Sequence, residues 1–511
     1  MSVAVAAADA LIKNALLITM DSERRVLPCG HLVIRDGRIA AIGPGEYRGT
    51  CDRLVVKDVR GQIVLPGLVN AHHHSYGNLL KGHMEATPLE IYVLYIVAEA
   101  ACIAPEDVEI ACALGSLELL QSGCTAVLDH LSQTPAGLAA AAAVYRRMGI
   151  RAMLTPQFSD LSLADTMPSV LAEAAAPLGP PYAGPPQDPA TVLEGVERVV
   201  QDCHRPRDGV TVAIGPSAPV RCSDALLAAS ADLARRHGLQ WHTHLLESRA
   251  QAVKAAERYG RSTVEHIGDL GVLDARASLA HAIWLSAEDL DRIKSSEATI
   301  VHVPVANLQL GDGLMSFPEA RRRGINLALG TDSSACAGCQ SMFEVMKLAA
   351  ILGRVVEADP RAWPGSRDAL EAATIGGARA LGLQDAIGSL EVGKSADFVI
   401  LRRNVPALTP LHNPIWQVVF GRPEGAVAEV WIRGRPVVVD GQIAGLDLDT
   451  LLDEAESRGA HLLARCAEAY SEIQKHAPAF AAAIAKLVRG SAQGPATRNK
   501  GGRVPGGRQG G

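Results

Sequence analysis

Aromatic residues are scarce in this chain. Phe, Trp and Tyr make up 4% of the 511 residues, too few for a row of platforms on which nucleic-acid bases could stack. An excess of positive charge is missing as well. The formal net charge is −6, which leaves no electrostatic footprint for nucleic acid or an anionic membrane. No window of about 18 uninterrupted apolar residues occurs, so no membrane span is expected. Residues 1–10 are mostly apolar, but no Lys or Arg precedes the apolar run; the basic region of a secretory signal is lacking. The ten cysteines are scattered along the chain and read as reduced thiols of a cytoplasmic protein. Cys336-Ala337-Gly338-Cys339 has no second pair, which a structural zinc site would need.

What is present fits a large α/β enzyme. A chain of 511 residues suits a barrel of about 250 residues or more plus a second module. Leu11–Met20 reads as a strand, and residues 32–42 as a hairpin turning at Asp36-Gly37. Near the other end, residues 396–401, 427–432 and 436–439 read as strands too. Neither terminal set suffices for a sandwich, but together they can form one small β domain. Between them, short apolar strands starting near Val64, Ala126, Arg151, Val210, Gln240, Ala277, Thr299 and Asn326 alternate with helical patterns. That rhythm predicts parallel βα units, eight of which fit a (β/α)₈ (TIM) barrel. The expected division is 1–65 for the first part of the β-sandwich, 66–384 for the barrel and 385–446 for the rest of the sandwich. Two helices broken at Pro478 are expected over 447–489, and a disordered tail over 490–511. The long connection at 161–209, with its Gly-Pro-rich middle, reads as a lid or a decorated surface loop.

The organising stretch is Pro66-Gly67-Leu68-Val69-Asn70-Ala71-His72-His73-His74, preceded by the apolar run Gln62-Ile63-Val64-Leu65. Successive side chains of a strand alternate faces, so His72 and His74 point the same way and can chelate one transition metal. His242 and His244 end a second strand, with Glu247 three residues on. His281 ends a third, and Asp332 a later one. These positions fall at the carboxyl ends of their strands, where barrel active sites lie.

This ordered series resembles the amidohydrolase superfamily, in its branch of heterocycle deaminases and triazine chlorohydrolases, from about residue 10 to about residue 445. The resemblance implies the composite β domain. It also implies a single divalent metal, zinc or alternatively iron, held by His72, His74, His244 and Asp332. Alternation leaves His242 and His244 equivalent; the resemblance favours His244 because it precedes the glutamate by three. Glu247 and His281, together with Asp332, are implied as catalytic residues. Glu247 would protonate a ring nitrogen and hand on the proton of water; outside that setting, a Glu after a strand is commonly a helix-start carboxylate.

Substrate contacts are expected at His130, Gln157 and His302. Tyr76, Tyr92 and Tyr95 read chiefly as packing. Two departures from relatives stand out: Val303 where Asn often follows the histidine, though Asn307 is present, and Ser217 where many deaminases carry His. The implied activity is removal of ammonia from an aminated nitrogen heterocycle of purine, pterin, pyrimidine or triazine type. That makes the chain a hydrolase of non-peptide C–N bonds in cyclic amidines. The alternatives are the same site acting on a chloride, alkylamine or amide leaving group, and a non-catalytic scaffold, which would have lost ligands. The expected partner is a small heterocyclic substrate rather than nucleic acid or membrane, and the expected assembly is a homo-oligomer.

Overall fold

The structure, a computed structural model, describes residues 9–50, 52–179 and 182–491. The start of the chain and the expected disordered tail beyond 491 lie outside the described residues. Eight short parallel strands form the centre: β1 (Leu68–His74), β2 (Cys124–Leu131), β3 (Arg151–Phe158), β4 (Val210–Val212, resumed at Gly215–Pro216), β5 (Trp241–Leu245), β6 (Ala277–His281), β7 (Thr299–His302) and β8 (Leu327–Leu329, resumed at Asp332–Ser333). Two bridges close the ring. Ile214 pairs with Trp241 between β4 and β5, and Asp332–Ser333 pairs with His73 and His74 of β1. Strands such as β2 and β6 are buried along their whole length, as expected where helices cover a parallel sheet. The covering helices start and stop on local signals. Thr134 caps Pro135–Met148 by accepting from the Gly137 amide at 3.2 Å, and Gly149 ends that helix at φ 75°.

The first strand differs from expectation. Ile63–Pro66 belongs to the terminal sheet, pairing with Ala10–Ile18 and Phe398–Leu401; the barrel strand begins only at Leu68. Gly67 makes the transition. A Cβ there would sit 2.1 Å from Thr125 Oγ1, so only glycine lets the chain turn against β2.

Both chain ends build one nine-stranded sheet, running in order from Gln442–Ile443 through Phe398–Leu401 and Ile63–Pro66 to Arg38–Pro44. Its separate core joins Ile12, Leu17, Leu32 and Ile34 to Phe398, Ile400 and Trp431. The expected Asp36-Gly37 turn links Val26–Arg35 to Arg38–Pro44, with both turn residues at positive φ.

One ion pair fastens the sheet to the barrel. Arg151, at the start of β3, donates from Nε and Nη2 to the Asp397 carboxylate at 2.6 and 3.1 Å. Ser395 Oγ and the Arg433 amide also donate to that carboxylate. Burial alone would raise the Asp397 pKa, but the Arg151 charge and these hydrogen bonds outweigh it and hold it below the usual carboxylate range. Arg151→Ala is expected to cost about 3–5 kcal/mol, because it leaves a buried carboxylate without its counter-charge. Chemical denaturation at neutral pH measures this; a loss below about 1 kcal/mol would contradict it.

The C-terminal segment is one helix, Leu448–Ser491, running straight through Pro478. The expected break does not occur. Pro478 and Gln474, whose carbonyl loses its partner, both lie on the exposed side. The buried side is tied down instead: Tyr470 Oη donates to Glu99 at 2.7 Å, and Arg465 pairs with Asp107.

Candidate metal centre and cavity

Three imidazoles and a carboxylate converge at the carboxyl end of the barrel. His72 and His74 come from β1, His244 from β5, and Asp332 from the end of β8. Each histidine has its Nδ1 taken by the protein. His74 Nδ1 donates to the His130 carbonyl and His244 Nδ1 to the Ser217 carbonyl. His72 Nδ1 lies 2.8 Å from His242 Nε2, whose own Nδ1 lies 2.7 Å from Ser278 Oγ. The carbonyl acceptors fix the tautomers of His74 and His244, whose Nε2 lone pairs then face one another, and His72 Nε2 becomes the acceptor when its Nδ1 donates to His242. His74 Nε2 is 3.2 Å from His244 Nε2, and Asp332 Oδ1 is 3.8 and 3.5 Å from the Nε2 atoms of His72 and His74.

Burial, reinforced by the neighbouring imidazoles, holds His72 and His244 well below the usual histidine range. Neutral imidazoles with a fixed tautomer plus a carboxylate are the donor set a divalent metal takes. His72 Nε2 is buried with no partner in the protein, as a ligand atom would be. The residues present therefore fit the ion. His242 stands one step behind, orienting His72. His73 faces away, with Nδ1 3.2 Å from the Asp332 carbonyl.

Glu247 and His281 stand beside this cluster, with His281 Nε2 3.5 Å from Glu247 Oε1 and 3.9 Å from Asp332 Oδ2. His281 Nδ1 donates to Asn307 Oδ1 at 2.8 Å, which leaves Nε2 as the acceptor. Both His281 and Asp332 sit at positive φ, 68° and 66°, a region that His and Asp enter more readily than most residues and one often found at functional sites. Glu247 immediately precedes Ser248, whose Oγ caps helix Arg249–Tyr259 at the Gln251 amide. The helix-start role thus belongs to Ser248, and the Glu247 carboxyl lines the cavity instead. Burial, then the Asp332 and Glu90 carboxylates, push Glu247 well above the usual carboxylate range.

The cavity measures about 500 Å³ and reaches His74, His244, Glu247 and Asp332, a size suited to a small organic ligand. Gln157 lies on its wall and donates from Nε2 to Ser217 Oγ at 2.8 Å. His130 and His302 do not line it. Both are buried, His130 stacked on His74 and His244 with a ring nitrogen within 4.8 Å of those of His72 and His244, and His302, the last residue of β7, against Phe317. Tyr76 and Tyr92 line the cavity, whereas Tyr95 packs on Tyr470. The first half of the 161–209 connection contributes Leu163, Thr166, Met167, Pro168 and Gln187 to the wall.

Four residues were not singled out from the sequence as part of this site: Asn307 in its role as holder of His281, Glu90, Asp312 and Arg221. Glu90 and Arg221 line the cavity. Asp312 is buried with Oδ2 unpartnered, and burial followed by the nearby Glu247, Glu90 and Asp332 charges pushes its pKa up to about 10. Only Asn307 carried a signal, as the asparagine displaced from its usual place after His302.

Comparison with known proteins agrees with this geometry. Residues 63–437 match the amidohydrolase family, and the chain belongs to that family. It is 32% identical to 5-methylthioadenosine/S-adenosylhomocysteine deaminase of Syntrophobacter fumaroxidans, over 87% of this chain and 96% of that one. It is likewise 32% identical to 8-oxoguanine deaminase of Pseudomonas aeruginosa, over 85% and 95%. Among solved structures, a zinc-bound adenosine deaminase from Xanthomonas campestris superimposes with a TM-score of 0.78 at 27% identity, covering 89% of this chain and 98% of that one. The zinc-complexed atrazine chlorohydrolase of Arthrobacter aurescens shares the fold, with a TM-score of 0.79 at 23% identity over 88% and 100%.

Proposed function

We propose that this protein is a metal-dependent aminohydrolase that releases ammonia from an aminated nitrogen heterocycle. The observation that carries the proposal is the placement of Glu247, a carboxyl with raised proton affinity on the cavity wall, 3.5 Å from His281 and grouped with His281 and Asp332, the aspartate that also meets His72 and His74. Deaminase relatives at 32% identity support it, and their names point to purine-type rings first.

In this reading His72, His74, His244 and Asp332 hold one divalent ion, zinc before iron. Bound, that ion supplies Lewis acidity that brings the pKa of water down towards about 7. The chain's own residues do the rest. Gln157 meets the ring edge, with His130 and His302 supporting the wall from behind. Asp332 and His281 hold the attacking water, and His281 Nε2 accepts its proton. Glu247 gives its proton to a ring nitrogen as water adds to the adjacent carbon. The exocyclic C–N bond then breaks as His281 passes its proton to the leaving amine, which departs as ammonia; the ring keeps the oxygen as a carbonyl, and the hydroxyl proton returns to Glu247. The apolar walls formed by Leu89, Val93 and Ile96 keep bulk water from competing.

The rest of the chain is proposed to divide as 66–384 for the catalytic unit, 1–65 with 385–446 for the β domain, and 447–489 for the C-terminal helical part. No helix among the described residues is long and apolar enough to cross a membrane. The nine described cysteines are free thiols, which supports a reducing, cytoplasmic setting. An exposed patch at Trp363 and Trp416, linked through Phe420 and Arg354, supports a homo-oligomer.

An ammonia-release screen of the metal-loaded protein over aminated purines, pterins, pyrimidines and triazines tests the function, with chloro- and alkylamino-triazines as the rival leaving groups. Ammonia from one aminated ring is the expected result. Chloride or alkylamine release without ammonia from any of them would replace deamination by the rival chemistry.

A further inference from the structure

One charge on the cavity wall is unaccounted for by this chemistry. Arg221 ends the short turn Pro219–Arg221 after β4 and lines the same cavity as His244 and Glu247. Its guanidinium makes no hydrogen bond and no ion pair among the described residues, and its Nε is buried with no partner. Burial is the main influence on its pKa and lowers it, with the Cys222 thiol acting the other way.

The backbone around it is fastened firmly. Arg258 donates to the carbonyls of Val220 and Cys222, on either side of Arg221, at 2.8 and 3.0 Å. Tyr259 Oη donates to the Pro219 carbonyl at 3.3 Å. The Arg221 amide donates to the Ala218 carbonyl at 2.9 Å, and its own carbonyl accepts from the Leu161 amide at 3.3 Å. The turn is thus held in place while the side chain it carries is left without an acceptor. The guanidinium is half-buried, with its Nε shut away from any acceptor, and the hydration it gives up is offset when a ligand brings an opposite charge. The planar fork of guanidinium N–H groups matches the oxygens of a carboxylate or a phosphate.

We propose that Arg221 is the recognition site for an oxyanion carried on an arm of the substrate, away from the ring that reacts beside Asp332 and Glu247. The placement of that ring rests on the aminohydrolase reading; the affinity of Arg221 for an oxyanion does not. Arg221 lies four positions after Ser217, whose carbonyl orients His244, so the two Cα atoms are at most about 14 Å apart, within the span of a heterocycle carrying a short substituent.

Two substrate pairs test this and separate the two anions. 5′-Methylthioadenosine and S-adenosylhomocysteine share a ring, and only the second carries a carboxylate. Adenosine and adenosine 5′-monophosphate differ by a phosphate. The readout is the kcat/KM of the charged member divided by that of the neutral one, a ratio insensitive to the fraction of folded enzyme. Arg221→Gln is expected to lower this ratio at least 30-fold in one pair, chiefly through KM, and Arg221→Lys to lower it less. The affected pair identifies the anion. If no member is turned over, the aminohydrolase reading is left to the ammonia screen, and the same ratios are taken from dissociation constants measured by calorimetry in a Glu247→Gln background. A ratio that Arg221→Gln leaves unchanged in both pairs, by turnover or by binding, overturns the proposal.

Discussion

Replacing His72 or Asp332 with alanine is expected to remove the metal and the activity together. His72 offers an Nε2 that nothing in the protein satisfies, and its ring is held from behind by His242 and Ser278. Asp332 offers Oδ1, while the Ser333 amide donates to that carboxylate at 2.7 Å. Deleting either leaves three protein donors around the ion. Removing merely the hydrogen-bond partner of a ligand typically weakens metal binding about 10–100-fold; removing the ligand itself should exceed the upper end of that range. His242→Ala is therefore the graded control, expected within those limits. Elemental analysis after dialysis should find about one ion per chain in the parent and almost none in the two ligand variants. Full occupancy in either variant would remove that residue from the ligand set. Two ions per chain in the parent would end the single-metal reading.

The parts of this molecule that depend on local pattern were legible in the sequence. Seven of the eight barrel strands begin within two residues of where short apolar runs placed them, because parallel strands covered by helices must be apolar throughout. The eighth was misplaced because Ile63–Pro66 and Leu68–His74 form one continuous apolar run. What divides them is Gly67 against Thr125, a contact that no run of residues displays. Pro478 misled for the opposite reason. Its local cost is real, but the helix is held by Tyr470 and Arg465 on its buried side, and packing overrides propensity.

The site divides along the same line. Alternation put His72 and His74 on one face, yet it could not separate His242 from His244. The difference lies in depth along the barrel: His244 reaches His74, whereas His242 backs His72. Asn307 and Asp312 come from the segment after β7, Arg221 from the turn after β4 and Glu90 from the helix after β1, and their convergence is a property of the closed barrel. Such residues carry no spacing signal of their own.

Glu247→Gln is expected to leave metal content and folding nearly unchanged while cutting turnover by about two to four orders of magnitude. The substitution keeps the size and reach of the side chain and removes its titratable proton. Nothing in the surrounding structure depends on that charge. Ser248, not Glu247, caps the following helix, and the Glu247 amide donates to Gln251 through the backbone, a bond the substitution keeps. Glu247 is buried among Asp332, Glu90 and Asp312, whose negative charges raise its proton affinity or share its surroundings. Neutralising it should therefore not lower stability. A helix-start carboxylate would behave otherwise, losing roughly 0.3–1 kcal/mol of stability with turnover hardly altered. A metal ligand would behave differently again, losing the ion. The proton-shuttle role predicts one combination only: ion kept, fold kept, turnover lost. Measured at saturating substrate, so that weakened binding is not taken for slowed chemistry, turnover within about fivefold of the parent would refute that role, and with it the principal ground for deamination over the other leaving groups.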